Sequence, residues 1–501
     1  MTATSTAIPD HVEVVIVGAG LSGIGAAYRL QDKCPDRSCL VLEAREAIGG
    51  TWDLFRYPGI RSDSDIFTLS YPFQPWTGEL SIADGDAILD YIRQTAAQFG
   101  IDRRIRYATK VMAADWSSRT GRWTLALERT DPDGTVSHRT LTCSFLYCCT
   151  GYYDYDQGHA PDFPGAGSFA GTLVHPQFWP EDLDYAGKRV VVIGSGATAI
   201  TLVPSLAARA AHVTMLQRTP TWISALPRRD ALADKLRRRL PARSAHRLIR
   251  AKNIASSIAF YQYCRRFPQA ARRLLTTAGI RRLKDEKMVR EHFTPSYDPW
   301  DQRLCVAADA DLFKAVRSGS AEVVTDHIEE FVPEGIRLRS GRILPADLVI
   351  TATGLRLLAF GRVKLSVNGA PVEPAKHLVW RGAMLSDVPN FAICVGYTNA
   401  SWTLRADLTS RLVCKILNHM TRRGLAAVAP KPGPEVRERP FLDLASGYVQ
   451  RSIDDFPRQG DRGPWRVRQN IVLDTLTTMR TDLDKTLTAT PQTSPNRPFF
   501  D

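Results

Sequence analysis

Val14-Val15-Ile16-Val17-Gly18-Ala19-Gly20-Leu21-Ser22-Gly23 is the stretch whose reading decides the fold. Its β-branched run suits a strand buried on both faces. The glycines after it suit a tight turn that opens a helix reaching about Leu30. A second apolar run, Cys39-Leu40-Val41-Leu42, closes on Glu43, about 20 residues beyond Gly23. Strand, glycine turn, helix, strand and acid is the order of a dinucleotide-binding βαβ unit. In such a unit Gly18 makes the turn and Gly20 lets a pyrophosphate approach the backbone. Gly23 lets the helix pack close on the strand. Ser22 lies inside the turn. The helix N-terminus offers unpaired N–H groups to the phosphates. Glu43 is placed to accept hydrogen bonds from the ribose hydroxyls of an adenosine half.

The same order recurs once. Val190 to Ile193 forms a strand, and Gly194-Ser195-Gly196-Ala197-Thr198-Ala199 forms the turn. A helix runs to about Ala208, and His212 to Leu216 is the next strand. That strand ends in Gln217-Arg218-Thr219, with no acid. A guanidinium at Arg218 fits a ribose 2′-phosphate through charge-assisted contacts, and Thr219 adds a hydroxyl. Two sites, one closed by an acid and one by an arginine, suggest FAD together with NADPH. Hydride would then pass from nicotinamide to flavin.

The fold class expected is α/β, with two Rossmann-like units. Leu146 to Gly151 and Leu348 to Gly354 both end a strand in a Thr-Gly turn, where the chain crosses between units. This places a first part of the FAD unit at residues 1–159 and an inserted NADPH unit at 160–345. The second part of the FAD unit then covers 346–485. Residues 220–292 read as helical, and the Thr-, Pro- and Ser-rich segment 486–501 as a flexible tail.

Composition bounds the rest. The 501 residues are 44% hydrophobic and 23% charged, ordinary for a globular chain that needs no disulfide or metal staple. No apolar run is long enough to span a bilayer, and Met1 to Asp10 lacks a signal-like h-region. Nine scattered cysteines suit reduced thiols in the cytoplasm. The net charge of +13 is concentrated: Arg228 to Arg290 holds 19 Lys/Arg against 4 Asp/Glu. One basic face on an otherwise neutral chain argues against a nucleic-acid binder. The block reads as a solvated amphipathic face or, more sharply, as a peripheral surface for anionic membrane.

The electron acceptor can be argued from a missing motif. Disulfide reductases carry a redox cysteine pair after a Gly-Gly-Thr turn. Here Gly49-Gly50-Thr51 leads into Trp52-Asp53-Leu54. Cys148 and Cys149 are adjacent in a strand, so their side chains face opposite ways. Oxygen is therefore the expected acceptor.

Phe169, Gly171, His175, Trp179 and Pro180 occupy the fixed positions of a fingerprint, Phe-x-Gly-x3-His-x3-Trp-Pro. On it the chain resembles the type I Baeyer–Villiger and flavin-containing monooxygenases. Gly49 to Asp63, Tyr297 to Cys305, Ala352-Thr353-Gly354 and Gly396 to Leu404 extend the resemblance over most of the chain. It implies insertion of one atom of O2 into a small apolar ketone, through a flavin C4a-peroxide, giving an ester or lactone. Sulfides and thioamides are alternative substrates. It implies Arg303 as the catalytic cation and Asp63 as its orienting partner. An arginine suits that role because it never titrates at working pH. Thr51, Trp52, Asp53, Leu54, Arg61, Ser62, Asp63 and Val111 are implied cofactor contacts. Trp52, Tyr57 and Trp402 are candidates to line the cavity. His175 is implied to organise the linker, and no metal is expected. Gln302 stands where some relatives carry a lysine near the 2′-phosphate.

Overall fold

The computed structural model describes residues 8–442 and 444–492. The first βαβ unit forms as read. The strand His11–Val17 leads through the glycine turn into the helix Leu21–Lys33, and Cys39–Leu42 lies parallel to the first strand, Val14 opposite Cys39. Val14 and Ile16 enter one core, while Val15 and Val17 enter another. This alternation is what a strand buried on both faces requires. Cys148 and Cys149 separate in the same way, one into each core.

The first sheet grows on both sides of this strand. Ile105–Arg106 continues it beyond Cys39–Leu42, and Val136–Cys148 pairs parallel on the other side. Phe391–Ile393 adds a further parallel strand against Leu146 to Cys148, so a segment from late in the chain completes the first unit. Thr109–Ser117 and Arg122–Thr130 extend the sheet as an antiparallel meander.

The second sheet has five parallel strands, in the order Ala321–Thr325, His212–Gln217, Arg189–Ile193, Leu348–Thr351, Thr172–Val174. Leu348–Thr351 therefore belongs to the inserted unit, and the return falls after Thr351 rather than at residue 346. The two crossing segments, Tyr153–Gly158 and Leu355–Leu357, pair antiparallel and form a two-stranded joint.

Helices Ala231–Arg239, Ala242–Arg266, Pro268–Leu283 and Glu286–His292 fill the expected helical region, after a short strand Ile223–Leu226. Many of the basic side chains there are anchors. Arg228 pairs with Asp84 at 2.5 Å, Arg265 with Asp301 at 2.6 Å, and Arg272 with Asp298 at 3.2 Å. Arg250 is buried, and its Nη1 donates to the carbonyls of Phe67, Thr68 and Ser70.

The expectation of a loose tail from residue 486 fails in part. Leu487–Pro491 pairs antiparallel with Leu425–Pro430, where Thr488 and Ala489 find backbone partners. Residues 493–501 lie outside the described residues. Among the described residues no helix is long and apolar enough to cross a membrane, and no group of side chains could hold a metal ion.

Candidate active site

Both glycine turns open into one cavity of about 1110 Å3 between the two units. The first turn is built by close approach. Gly18 has φ +102°, and a Cβ there would lie 2.8 Å from the Cys149 carbonyl oxygen. A Cβ at Gly23 would lie 1.8 Å from the Gly18 oxygen, so only glycine lets the helix seat on the turn. The helix begins at Gly20, with no side chain capping its first N–H groups. Those donors face the cavity and fit a pyrophosphate. Glu43 is buried, and accepts from the Ala19 N–H at 2.7 Å and the Arg45 N–H at 2.9 Å. Burial raises its pKa. Its carboxyl still borders the cavity with lone pairs to spare, which suits ribose hydroxyls.

The second turn has a different shape. Gly194 has φ +138°, and a Cβ there would lie 2.3 Å from the Ala352 oxygen. A Cβ at Gly196 would meet nothing within 4 Å, because it would project into the cavity. The helix Ala197–Leu206 starts at Gly196, again with no side-chain cap. Ser195 Oγ reaches the Thr219 carbonyl at 3.2 Å and Thr221 Oγ1 at 2.8 Å, which tethers the turn to the segment after Arg218. Arg218 and Thr219 are exposed on the cavity wall. The residues present thus fit one dinucleotide at each turn.

The loop holding Asp63 is shared by both units. A Cβ at Gly59 would strike Ser205 Oγ of the second unit's helix, and Arg61 pairs with Asp311 at 2.5 Å. Tyr57 lines the cavity with Thr198, and burial pushes its hydroxyl up to about 12. Arg303 arrives from the second unit, just before the strand Cys305–Ala308. Its Nη2 lies 2.7 Å from Asp63 Oδ2, and its Nη1 donates to the Thr398 carbonyl at 3.4 Å. The Asp63 carboxylate raises the Arg303 pKa still further above its ordinary value. The Arg303 side chain is 27% exposed, and it lines the cavity. Three tyrosines that no motif marked, Tyr152, Tyr153 and Tyr448, surround this pair. Burial raises the pKa of each, and each interacts with Arg303.

Most of the expected contacts border the cavity: Gly18, Gly20, Ser22, Thr51, Trp52, Val111, Ser62, and Gly194 through Thr198. Ser22 Oγ accepts the Trp402 indole N–H at 2.7 Å, and Tyr57 and Trp402 also line the wall. Ser62 turns its hydroxyl to the Ala83 N–H at 3.2 Å. Four residues do not reach the cavity wall. Asp53 is buried in a cluster with Arg45 at 2.7 Å and Arg56 at 2.8 Å, and Leu54 follows it off the wall. Gly23 and Ala199 act by packing their helices. All nine cysteines are free, and Cys149 meets Cys394 rather than Cys148. His175 Nδ1 accepts the Gln177 N–H, and its ring packs on Gly158 in the joint. Burial lowers its pKa. Gln177 Nε2 donates to the Asp154 and Tyr155 carbonyls. The fingerprint therefore stitches the crossing strands together.

The chain is 53% identical over 467 residues to the FAD-containing monooxygenase EthA of Mycobacterium tuberculosis, covering 93% of this chain and 94% of that one. The chain belongs to the flavin-binding monooxygenase family. The family model described as flavin-binding monooxygenase-like matches residues 70–233, and an NAD(P)-binding Rossmann-like domain matches residues 16–79. An EthA of Mycolicibacterium smegmatis is also 53% identical, over 93% of this chain and 94% of that one. Among solved structures, an oxidized steroid monooxygenase bound to NADP superposes with a TM-score of 0.75. It has 20% identity and covers 96% of this chain and 100% of that one. An open cyclohexanone monooxygenase gives 0.69 at 20% identity, over 85% of this chain and 90% of that one. At such identity these neighbours share the fold of this monooxygenase.

Proposed function

We infer that this monooxygenase inserts one atom of O2 into a small apolar ketone, giving an ester or lactone. FAD and NADPH are its cofactors, FAD at the Gly18–Gly23 turn and NADPH at the Gly194–Ala199 turn. Bound together, they supply the hydride and the activation of O2. The protein supplies orientation and charge. The single observation that carries the reading is the Arg303–Asp63 pair, held at 2.7 Å in the cavity both turns share. A ketone carbonyl under nucleophilic attack develops an oxyanion. A guanidinium fixed beside it by a carboxylate stabilises that charge without reorganising, an effect of about 2.7–4 kcal/mol for one donor. Asp63 sets the Arg303 rotamer, and the surrounding tyrosines thin the water around it. The test is product analysis under 18O2. The FAD-loaded enzyme, NADPH and a cyclic or linear ketone should yield an ester carrying one labelled oxygen. Consumption of NADPH with a sulfide converted and every ketone untouched would replace the ketone reading with sulfur oxygenation.

A second reading concerns the basic helices. Leu232, Leu248, Phe267 and Leu274 are each about half exposed. Exposed Arg243, Arg247, Arg266 and Arg273 lie between them. Apolar side chains flanked by solvated cations suit the surface of an anionic bilayer, from which apolar ketones could be drawn.

A further inference from the structure

Two long side chains that border the cavity come from the short helix Gly447–Gln450 and the residue that ends it, and only Tyr448 stands beside Arg303. The other, Arg451, closes the helix, its N–H bonded to the Gly447 oxygen at 3.1 Å. Its guanidinium lies over Gly354: Nη2 is 3.6 Å from where a Cβ of that glycine would stand. Gly354 follows Ala352, whose carbonyl is the surface on which Gly194 is seated. Arg451 thus comes from the late part of the first unit and lies on the far side of the second glycine turn.

Its electrostatic neighbourhood is unusual. Burial and the charge of Arg218 lower the Arg451 pKa, and burial followed by the charge of Arg451 lowers that of His159. Among the described residues neither Arg218 nor Arg451 forms an ion pair, although most arginines around the cavity do: Arg61 has Asp311, Arg303 has Asp63 and Arg362 has Asp154. Two guanidiniums that border one cavity, neither of them ion-paired among the described residues, fit a dianionic ligand. The pyrophosphate has its own donors in the uncapped helix start at Gly196. Arg218 lies at the other end of that dinucleotide, past the strand His212–Gln217, where the adenosine ribose belongs.

We propose that Arg451 and Arg218 both hold the 2′-phosphate of NADPH, and that Arg451 supplies the second cation at this chain's phosphate subsite, where Gln302 brings none. The inference rests on NADPH being the hydride donor. It also makes cofactor selectivity depend on the relation between the two units, because each contributes one arginine.

Calorimetric titration of the oxidised, FAD-loaded enzyme with NADP+, NAD+, 2′,5′-ADP and 5′-AMP tests it without turnover. The wild type should prefer NADP+ to NAD+ and 2′,5′-ADP to 5′-AMP. Arg451→Ala should weaken NADP+ and 2′,5′-ADP by about 10- to 100-fold, the effect of one charge-assisted contact. It should leave NAD+ and 5′-AMP within about twofold. Arg218→Ala/Arg451→Ala should abolish the preference, and Arg451→Lys should recover part of it. Retained FAD and an unchanged melting temperature show that each variant folds. Should Arg451→Ala lose FAD, Arg451→Gln, which keeps much of the side-chain bulk, takes its place. Equal weakening of NADP+ and NAD+, or no change in either, overturns the proposal. A wild type that binds the two dinucleotides alike overturns the NADPH reading instead.

Discussion

Arg303 Nη2 meets Asp63 Oδ2 at 2.7 Å, and the contact joins the two dinucleotide units across the cavity. The carboxylate raises the pKa of its partner, so Arg303 stays cationic at any pH the protein survives. Arg303→Ala should keep FAD and accept hydride from NADPH, since neither glycine turn is touched. Ester formation should fall by at least ~10²-fold, the usual loss for one oxyanion donor. NADPH oxidation should continue, with hydrogen peroxide released. Sulfide oxygenation should suffer less, because no oxyanion builds on a sulfur substrate. Arg303→Lys should rescue little, since an ammonium lacks the planar fork that Asp63 orients. Stopped-flow reduction rates and ester yields in one variant check this. Wild-type ester formation in Arg303→Ala would move the role elsewhere.

Arg250 lies in the middle of the basic block yet is buried, donating to Phe67, Thr68 and Ser70 at 2.8, 3.0 and 2.8 Å. Asn253, on the same helix, donates to Asp65 at 2.8 Å. Arg250→Ala leaves the end of the helix Ile66–Leu69 with orphaned carbonyls, each costing about 1–3 kcal/mol if water cannot reach it. The variant should melt several degrees lower. A melting temperature equal to wild type would mean that water replaces the guanidinium at no cost.

These two cases show what was legible in the sequence. The glycine turns could be read because close approach admits only one residue type, so Gly18, Gly23 and Gly194 leave a mark at fixed spacing. The fingerprint could be read for a related reason: His175 and Gln177 serve a joint that both crossings need. Arg303 and Asp63 carried no local signal and emerged only through resemblance. Tyr448 and Arg451 carried none, because their roles arise from a helix of 4 residues folding back from the far end of the chain. The block at 228–290 misled in part. A composition count cannot tell Arg250, turned inward to carbonyls, from Arg247, turned outward to water. Asp53 misled likewise: it lies beside the Gly49-Gly50-Thr51 turn in sequence, but its carboxylate faces Arg45 and Arg56.

The outward basic residues make their own prediction. Co-sedimentation with vesicles should rise with the fraction of anionic lipid and fall with salt, at ~1 kcal/mol per basic residue near the surface. Replacing Leu248, Phe267 and Leu274 with Ser should weaken binding without changing activity on a soluble ketone. Sedimentation that ignores lipid charge removes the bilayer reading and leaves a solvated face.

The two glycines of the second turn should respond to the same substitution in opposite ways. Gly194 has φ +138°, and its Cβ position is 2.3 Å from the Ala352 oxygen. A valine there must break the contact that seats the turn on the end of the neighbouring strand Leu348–Thr351, so Gly194→Val should express poorly or melt well below wild type. Gly196 has an ordinary extended conformation, φ −79°, and open space where its Cβ would be. Gly196→Val should therefore fold, bind FAD and melt like wild type. Its side chain would stand where the pyrophosphate must approach the helix N–H groups. NADPH and NADH should both bind at least ~10-fold more weakly, because the group they share is the one excluded. Flavin absorbance, melting temperature and dinucleotide titration on the two variants decide the matter. A Gly196→Val protein with wild-type affinity for NADPH would place the pyrophosphate away from this turn. A Gly194→Val protein as stable as wild type would show that the Ala352 contact does not hold the turn in place.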